Sequence, residues 1–183
     1  MVNAMKRIFT LLCLIIMCLF TLVESSHASR LNGFVNPDRI KVYIPPNKNA
    51  VMMRHAFEEW QRVTNNRIRF YFVSDPKISK MDVYFVDKIN TRNMAHLSRA
   101  LGVAESRKAK RIHHVNIEIA TYTQNGRPLS KDEIYTVMLH EIGHGLGLGH
   151  SKNRNSIMYP QAYTHLEIIQ EDLNNLKRIY NWN

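Results

Sequence analysis

Three histidines, one glutamate and four glycines fall within the eleven residues HEIGHGLGLGH at 140–150. On a helix, positions four apart share a face, so His140 and His144 turn their imidazoles to the same side. Neutral imidazole is a preferred zinc ligand, bound at about 2.0–2.1 Å. Glu141 directly follows the first histidine, where it would lie near such an ion and reach a water on it. A catalytic zinc takes three protein ligands and keeps one position open; His150 is the candidate for the third. A continuous helix would carry His150 about 15 Å along the axis from His140, at about 1.5 Å per residue. The chain must therefore turn back, and Gly147 can take the positive φ that ends a helix sharply. Gly143, Gly145 and Gly149 suit close packing or further turning, with no single role assigned to each. A helix carrying surface histidines is the plainer alternative. Against it, the full spacing of the three histidines with the glutamate and the glycine arises by chance in only about four per hundred thousand such chains.

These residues need a scaffold to hold them. At 183 residues the chain suffices for one domain with a proper core. Residues 1–28 stand apart from it. Lys6 and Arg7 precede the apolar run IFTLLCLIIMCLFTLV, and ESSHASR follows, with Ser26 and Ala28 in a small-residue cleavage pattern. That is a secretory signal peptide by charge, length and flank. The run is slightly short for a membrane span, so no stable anchor is expected after cleavage. Bulky Ile16 and Met17 argue against a lipid anchor on Cys18. Export to a periplasm or to the outside of the cell is the expectation. Cys13 and Cys18 both lie in this run, so residues 29–183 hold no cysteine and no disulfide can staple them. Of the 25 basic and 15 acidic residues, two and one fall in 1–28, which leaves 23 against 14, a net charge of +9. Such a balance favours anionic partners or substrates. The charges are scattered except for RKAKR at 107–111, followed by His113 and His114, and a solvated loop or strand edge is the plainer reading of that run.

After a short lead at 29–38, RIKVYIP (39–45) reads as a strand closed by prolines. Apolar residues at 53, 56, 57, 60 and 63 mark an amphipathic helix. IRFYFVSD (68–75), MDVYFVDK (81–88), a weak LGVAES (101–106) and HVNIEIA (114–120) read as further strands. Ser130 and Glu133 form a capping box that opens a second helix, with Ile134, Val137, Met138 and Ile142 on its apolar face. A last helix at 167–180 places Ile169, Leu173, Leu176 and Tyr180 at helical spacing. The order β, α, β, β, β, β, α, loop, α predicts an α+β or α/β layered domain over 39–183, a sheet with helices packed on it.

H-E-x-x-H-x-x-G-x-x-H followed by a methionine turn is the metzincin signature; here the turn would be SIMYP, with Met158 eight residues after His150. The chain resembles a matrixin, the catalytic domain of matrix metalloproteinases. AFEEWQRVTNNRIRFYF resembles that family's first helix and second strand, and QEDLNNLKRIY its last helix. Tyr159 follows the methionine as in matrixins, and Pro160 stands where sister families place a zinc-binding tyrosine. The resemblance covers about residues 39–180. It implies a five-stranded twisted mixed sheet with three helices, and a cleft along an edge strand, by position LGVAES. A protein or peptide substrate would bind there as an added extended strand. It implies one catalytic Zn2+ on His140, His144 and His150, with Glu141 as general base of a secreted endopeptidase acting as a monomer. Pro160 to Tyr163 would wall the specificity pocket, with Thr136 toward its floor and a medium to large apolar side chain expected there. Asp172 would brace the methionine turn from below.

Several family features are absent from the sequence. No cysteine-bearing propeptide stands between residue 28 and the first strand, so thiol latency is not expected; Asp38 is a candidate for blocking the metal instead. Val103 and Asn116 stand about where ligands of a second, structural zinc would be. His113 and His114 read as exposed strand-edge residues, and His55, His96 and His165 as structural or surface ones. Calcium is possible in the family, but Asp–Gly loops for it are not apparent. Two competing functions remain. One is a binding protein of this fold that engages an anionic polymer through RKAKR; the other is a cell-wall peptide amidase. No specific nucleic acid partner is expected.

Overall fold

The computed structural model describes residues 32–89, 98–105, 111–123, 125–160 and 167–182. The signal peptide expected at 1–28, His96, Tyr163, His165 and residues 107–110 of the basic run lie outside them. Among the described residues, six strands and three α-helices follow in order: β1 (Asn32–Phe34), β2 (Ile40–Tyr43), α1 (Ala50–Val63), β3 (Phe70–Val73), β4 (Met81–Val86), β5 (Ser98–Glu105), β6 (Arg111–Ala120), α2 (Lys131–Gly145) and α3 (Gln170–Tyr180). Three-residue 3-10 turns occupy Pro37–Arg39 and Pro76–Ile78.

The strands form one sheet. β3, β2, β4 and β6 lie side by side and parallel, β1 pairs parallel with the first residues of β6, and β5 pairs antiparallel with β6. The helices and strands expected from the sequence are present, with shifted ends. β5 begins at Ser98 rather than 101, β6 at Arg111 rather than 114, and α3 at Gln170 rather than 167. β1 was not expected: Asn-Gly-Phe is too short to alternate, and its pairing with Arg111 and Ile112 is a tertiary fact.

Strand alternation sorts the two faces of the sheet. Ile40, Val42, Met81, Val83, Val115, Ile117 and Ile119 are buried, while the residues between them lie on the opposite face, where Asp82 is also buried. α1 buries Met53, Ala56, Phe57 and Trp60 completely. Phe57 meets Phe70 edge-on, with ring centroids 4.8 Å apart. Each such buried side chain contributes about 1.5–3 kcal/mol of hydrophobic stabilisation.

The Trp60 indole N–H donates to the Leu139 carbonyl at 2.9 Å, tying α1 to the helix that carries the first two histidines. α2 opens on the capping box read from the sequence: Ser130 Oγ accepts from the Glu133 N–H, and the Glu133 carboxylate accepts from the Ser130 N–H. More of α2 is buried than one apolar stripe would require. Ile134, Thr136, Val137, Met138, Leu139, Glu141, Ile142, Gly143 and Gly145 are all out of water, which makes it the central helix of the core.

Candidate metal centre

His140 and His144 occupy the last two turns of α2. The helix then stops within one residue. Gly147 takes φ +101°, its N–H donates to the His144 carbonyl at 2.9 Å, and the Leu148 N–H donates back to Gly143 at 3.0 Å. This pair of reverse bonds is a Schellman ending with glycine at its left-handed position. The chain folds back there and His150 joins the other two. The three rings lie 4.6, 4.7 and 5.4 Å apart by centroid, and one nitrogen from each falls within 4.8 Å of the others. Among the described residues, no other group of three or more His, Cys, Asp or Glu side chains lies close enough to hold an ion.

The protein also sets which nitrogen each helical histidine offers. His140 Nδ1 lies 2.6 Å from the Ile157 carbonyl, and His144 Nδ1 lies 2.8 Å from the Leu148 carbonyl. A carbonyl can only accept, so each Nδ1 carries the proton and each Nε2 keeps its lone pair. Burial lowers the pKa of both imidazoles. The His144 pKa falls to about 4, helped by the neighbouring His140. Near neutral pH both rings are therefore uncharged, as a metal requires. Fixed tautomers, close nitrogens and a backbone acceptor behind each ring fit a zinc ion well. Glu141 is buried at 3% exposure on the same stretch of helix.

Residues 156–158 form the floor. Met158 is buried beneath α2, and a Cβ at Gly143 would collide with its sulfur. A side chain at the glycine inside H-E-I-G-H would have to push the buried Met158 aside. The turn is held by a chain of bonds. The Ser156 hydroxyl donates to Asp172 Oδ1 at 2.6 Å and accepts from the Met158 N–H at 2.9 Å. The other Asp172 oxygen accepts the Ile169 N–H at 3.0 Å, at the start of α3. Ser151 N–H donates to the Met158 carbonyl at 2.8 Å, and Ile157 N–H to Glu167 at 2.7 Å. Asp172 is wholly buried, and that burial raises its pKa.

The other candidates fall as follows. Thr136 is buried one turn before His140, and Pro160 is exposed. The Asp38 carboxylate lies 3.8 Å from Arg39 and is not among the clustered metal-binding groups. His55 and His113 are exposed. His114, expected at an exposed edge, is half-buried instead: its Nε2 lies 3.2 Å from Asp82 and 3.1 Å from Asn116. Val103 pairs with His114 in the sheet and Asn116 with Leu101. Sequence reading missed the Ile157 and Leu148 carbonyls, which carry no side-chain signal. It also missed Ser156, whose only sequence trace is a small polar residue inside SIMYP.

The family model for Matrixin matches residues 38–181, most of the chain. The chain belongs to the matrixin family. Individual matrixin relatives align over shorter stretches. A "Putative matrix metalloproteinase" of Trichoplusia ni ascovirus 2c is 43% identical over 47 residues, 26% of this chain and 9% of the relative. An "Interstitial collagenase" of Equus caballus is 37% identical over 65 residues, 34% and 13% respectively. "Matrix metalloproteinase-26" of Homo sapiens is 39% identical over 51 residues, 26% and 20%. These alignments take in between about a tenth and a fifth of each relative's length. Matrixins are zinc metallopeptidases, and the clustered imidazoles of this matrixin stand where its sequence signature lies. Among its described residues, no helix is long and apolar enough to cross a membrane.

Proposed function

We propose that this chain is a secreted zinc endopeptidase, with residues 1–28 as its signal peptide and 39–183 as its catalytic domain. One observation carries the reading: three imidazoles converge, two of them held by carbonyls so that Nε2 faces inward. His140, His144 and His150 hold the ion, and zinc so bound supplies Lewis acidity toward water and a carbonyl oxygen. Glu141 accepts the proton of the attacking water on its carboxylate and delivers it to the leaving amide nitrogen. Burial keeps that carboxylate out of bulk water.

The substrate lies extended along β5, whose partner among the described strands is β6 alone, and pairs with it as one more strand. Thr136, Pro160 and Tyr163 shape the pocket for the side chain after the scissile bond, which takes medium to large apolar residues. Asp172 supports the turn beneath the metal. The working unit is a monomer.

Replacing Glu141→Gln tests the assignment of the base. Zinc stoichiometry should stay at one per chain, while turnover of a quenched peptide falls by at least about a thousandfold, since a positioned base works together with the ion. Retained turnover, or cleavage indifferent to a chelator, would overturn this reading.

A further inference from the structure

Five of the six strands run in one direction, so their first residues gather at one end of the sheet. That end is cationic. Arg69 precedes β3, Arg39 precedes β2, Lys41 is the second residue of β2, Lys80 precedes β4 and Arg111 opens β6. Their strand neighbours Ile40, Phe70, Met81 and Ile112 are buried, whereas the five cations are exposed. Alternation thus sets them on the outer side of the sheet.

Ladder bonds keep them adjacent: Ile40 N–H donates to the Arg69 carbonyl at 3.0 Å, and Lys80 N–H to the Lys41 carbonyl at 2.8 Å. Neighbouring strands lie about 4.8 Å apart, so β3, β2 and β4 present a cation about every 5 Å over roughly 10 Å, while Arg111 extends the charge farther down β6, four residues before the Val115 that pairs with Met81. Three acids come near, one of them Glu105, which pairs with Arg111 in the β5–β6 ladder. Asp38 lies 3.8 Å from Arg39, and buried Asp82 is engaged by His114 and Ser79. The row keeps a net positive charge. A cavity of about 210 Å³ opens at the same end, lined by Phe34, Ile40 and Ile112 together with Arg39, Lys80 and His113.

We propose that this end of the sheet docks a linear anionic polysaccharide. One sugar ring bearing a carboxylate or sulfate sits in the cavity, and further anionic groups meet the row of cations. The apolar lining suits the C–H surface of a sugar ring, which a bare phosphate would leave unused. A nucleic acid strand would need a run of aromatic platforms for successive bases. Here Phe34 and His113 are the two aromatic rings lining the cavity, and Tyr71, beside Lys41 in the sheet, is the exposed one in the row, too few for a run of platforms. The surface is separate from the histidine cluster, because α2 packs on the other side, where Gly145 approaches Met81, Val115 and Ile117. It therefore stands or falls independently of peptidase activity.

The test is calorimetric binding of a size-fractionated heparin oligosaccharide to the full chain at stepped salt concentrations. Binding should weaken steeply with salt. The triple variant Lys41→Ser, Arg69→Ser, Lys80→Ser should bind at least about tenfold more weakly and show a shallower salt slope, by about one per lost contact. The triple variant Lys131→Ser, Lys177→Ser, Arg178→Ser removes the same charge from exposed helical positions and should stay within about twofold of the parent. Both variants should keep the parent's melting midpoint. Equal weakening by the two triples, or no binding by the parent, overturns the proposal. Tighter binding of an oligothymidylate strand than of heparin overturns the polysaccharide assignment.

Discussion

His140 is oriented by a carbonyl that is itself held in place: Asp172 bonds Ser156, Ser156 bonds the Met158 N–H, and the turn between them presents the Ile157 oxygen. Substituting Asp172→Asn keeps the shape but sets an amide N–H2 against either the Ile169 N–H or the Ser156 hydroxyl. One buried donor then loses its acceptor, at about 1–3 kcal/mol. Denaturant unfolding should show that loss, and a competing zinc chromophore should report an affinity lower by about 10–100-fold. An unchanged zinc affinity would separate the turn from the metal.

Titration acts at the same scale. The folded pKa values of His140 and His144 lie below their unfolded value of about 6.5, that of His144 at about 4. Between those limits the unfolded chain binds more protons, so metal-free protein should lose stability as pH falls from about 6.5 to about 4. His144→Asn should flatten that slope in thermal melts run across the same range. At this scale side-chain spacing pointed to the three imidazoles that the fold brings together. The carbonyls that fix the tautomers stayed hidden, since any residue supplies one.

Among the elements, the helix end is the informative piece. Periodicity located α2 and its capping box, and the need to bring His150 back pointed to Gly147, whose φ is +101°. Gly143 shows what periodicity misses: its reason is a methionine 15 positions later, pressed against the place a Cβ would fill. The two glycines should fail differently. Gly147→Ala holds an L-residue in the left-handed region, at about 1–2 kcal/mol. Gly143→Ala must displace Met158 inside a filled core, at about 1–3 kcal/mol. Combining Gly143→Ala with Met158→Ala should recover part of its loss in a double-mutant cycle, because the collision partner is shortened. Gly147→Ala combined with Met158→Ala should be additive. β1 and the early start of β5 were beyond the reach of local pattern for a related reason: both are defined by their pairing with β6 rather than by alternation of their own.

For the molecule as a whole, the histidine cluster joins parts that are distant in sequence. α2 supplies two imidazoles, the segment past Gly147 supplies the third, and the turn at 156–158, anchored to α3 through Asp172, supports the first. Residues 29–183 contain no cysteine, so no covalent bridge duplicates that connection. An ion bound there would stabilise the folded state by mass action, by about 4 kcal/mol when free zinc is a thousandfold above its dissociation constant. For a chain of this size each kcal/mol moves the melting midpoint by about 2–4 °C. Stripping the ion with a chelator should therefore lower the midpoint by about 8–16 °C. Zinc titrated back should raise it in proportion to the logarithm of free metal. The variant His150→Ala should show little of this response, because its two remaining imidazoles sit on one helix and tie nothing together. If that variant kept the full thermal shift, the stabilisation would come from the helical pair alone, and the fold-back at Gly147 would serve geometry at the open face of the site without bracing the fold.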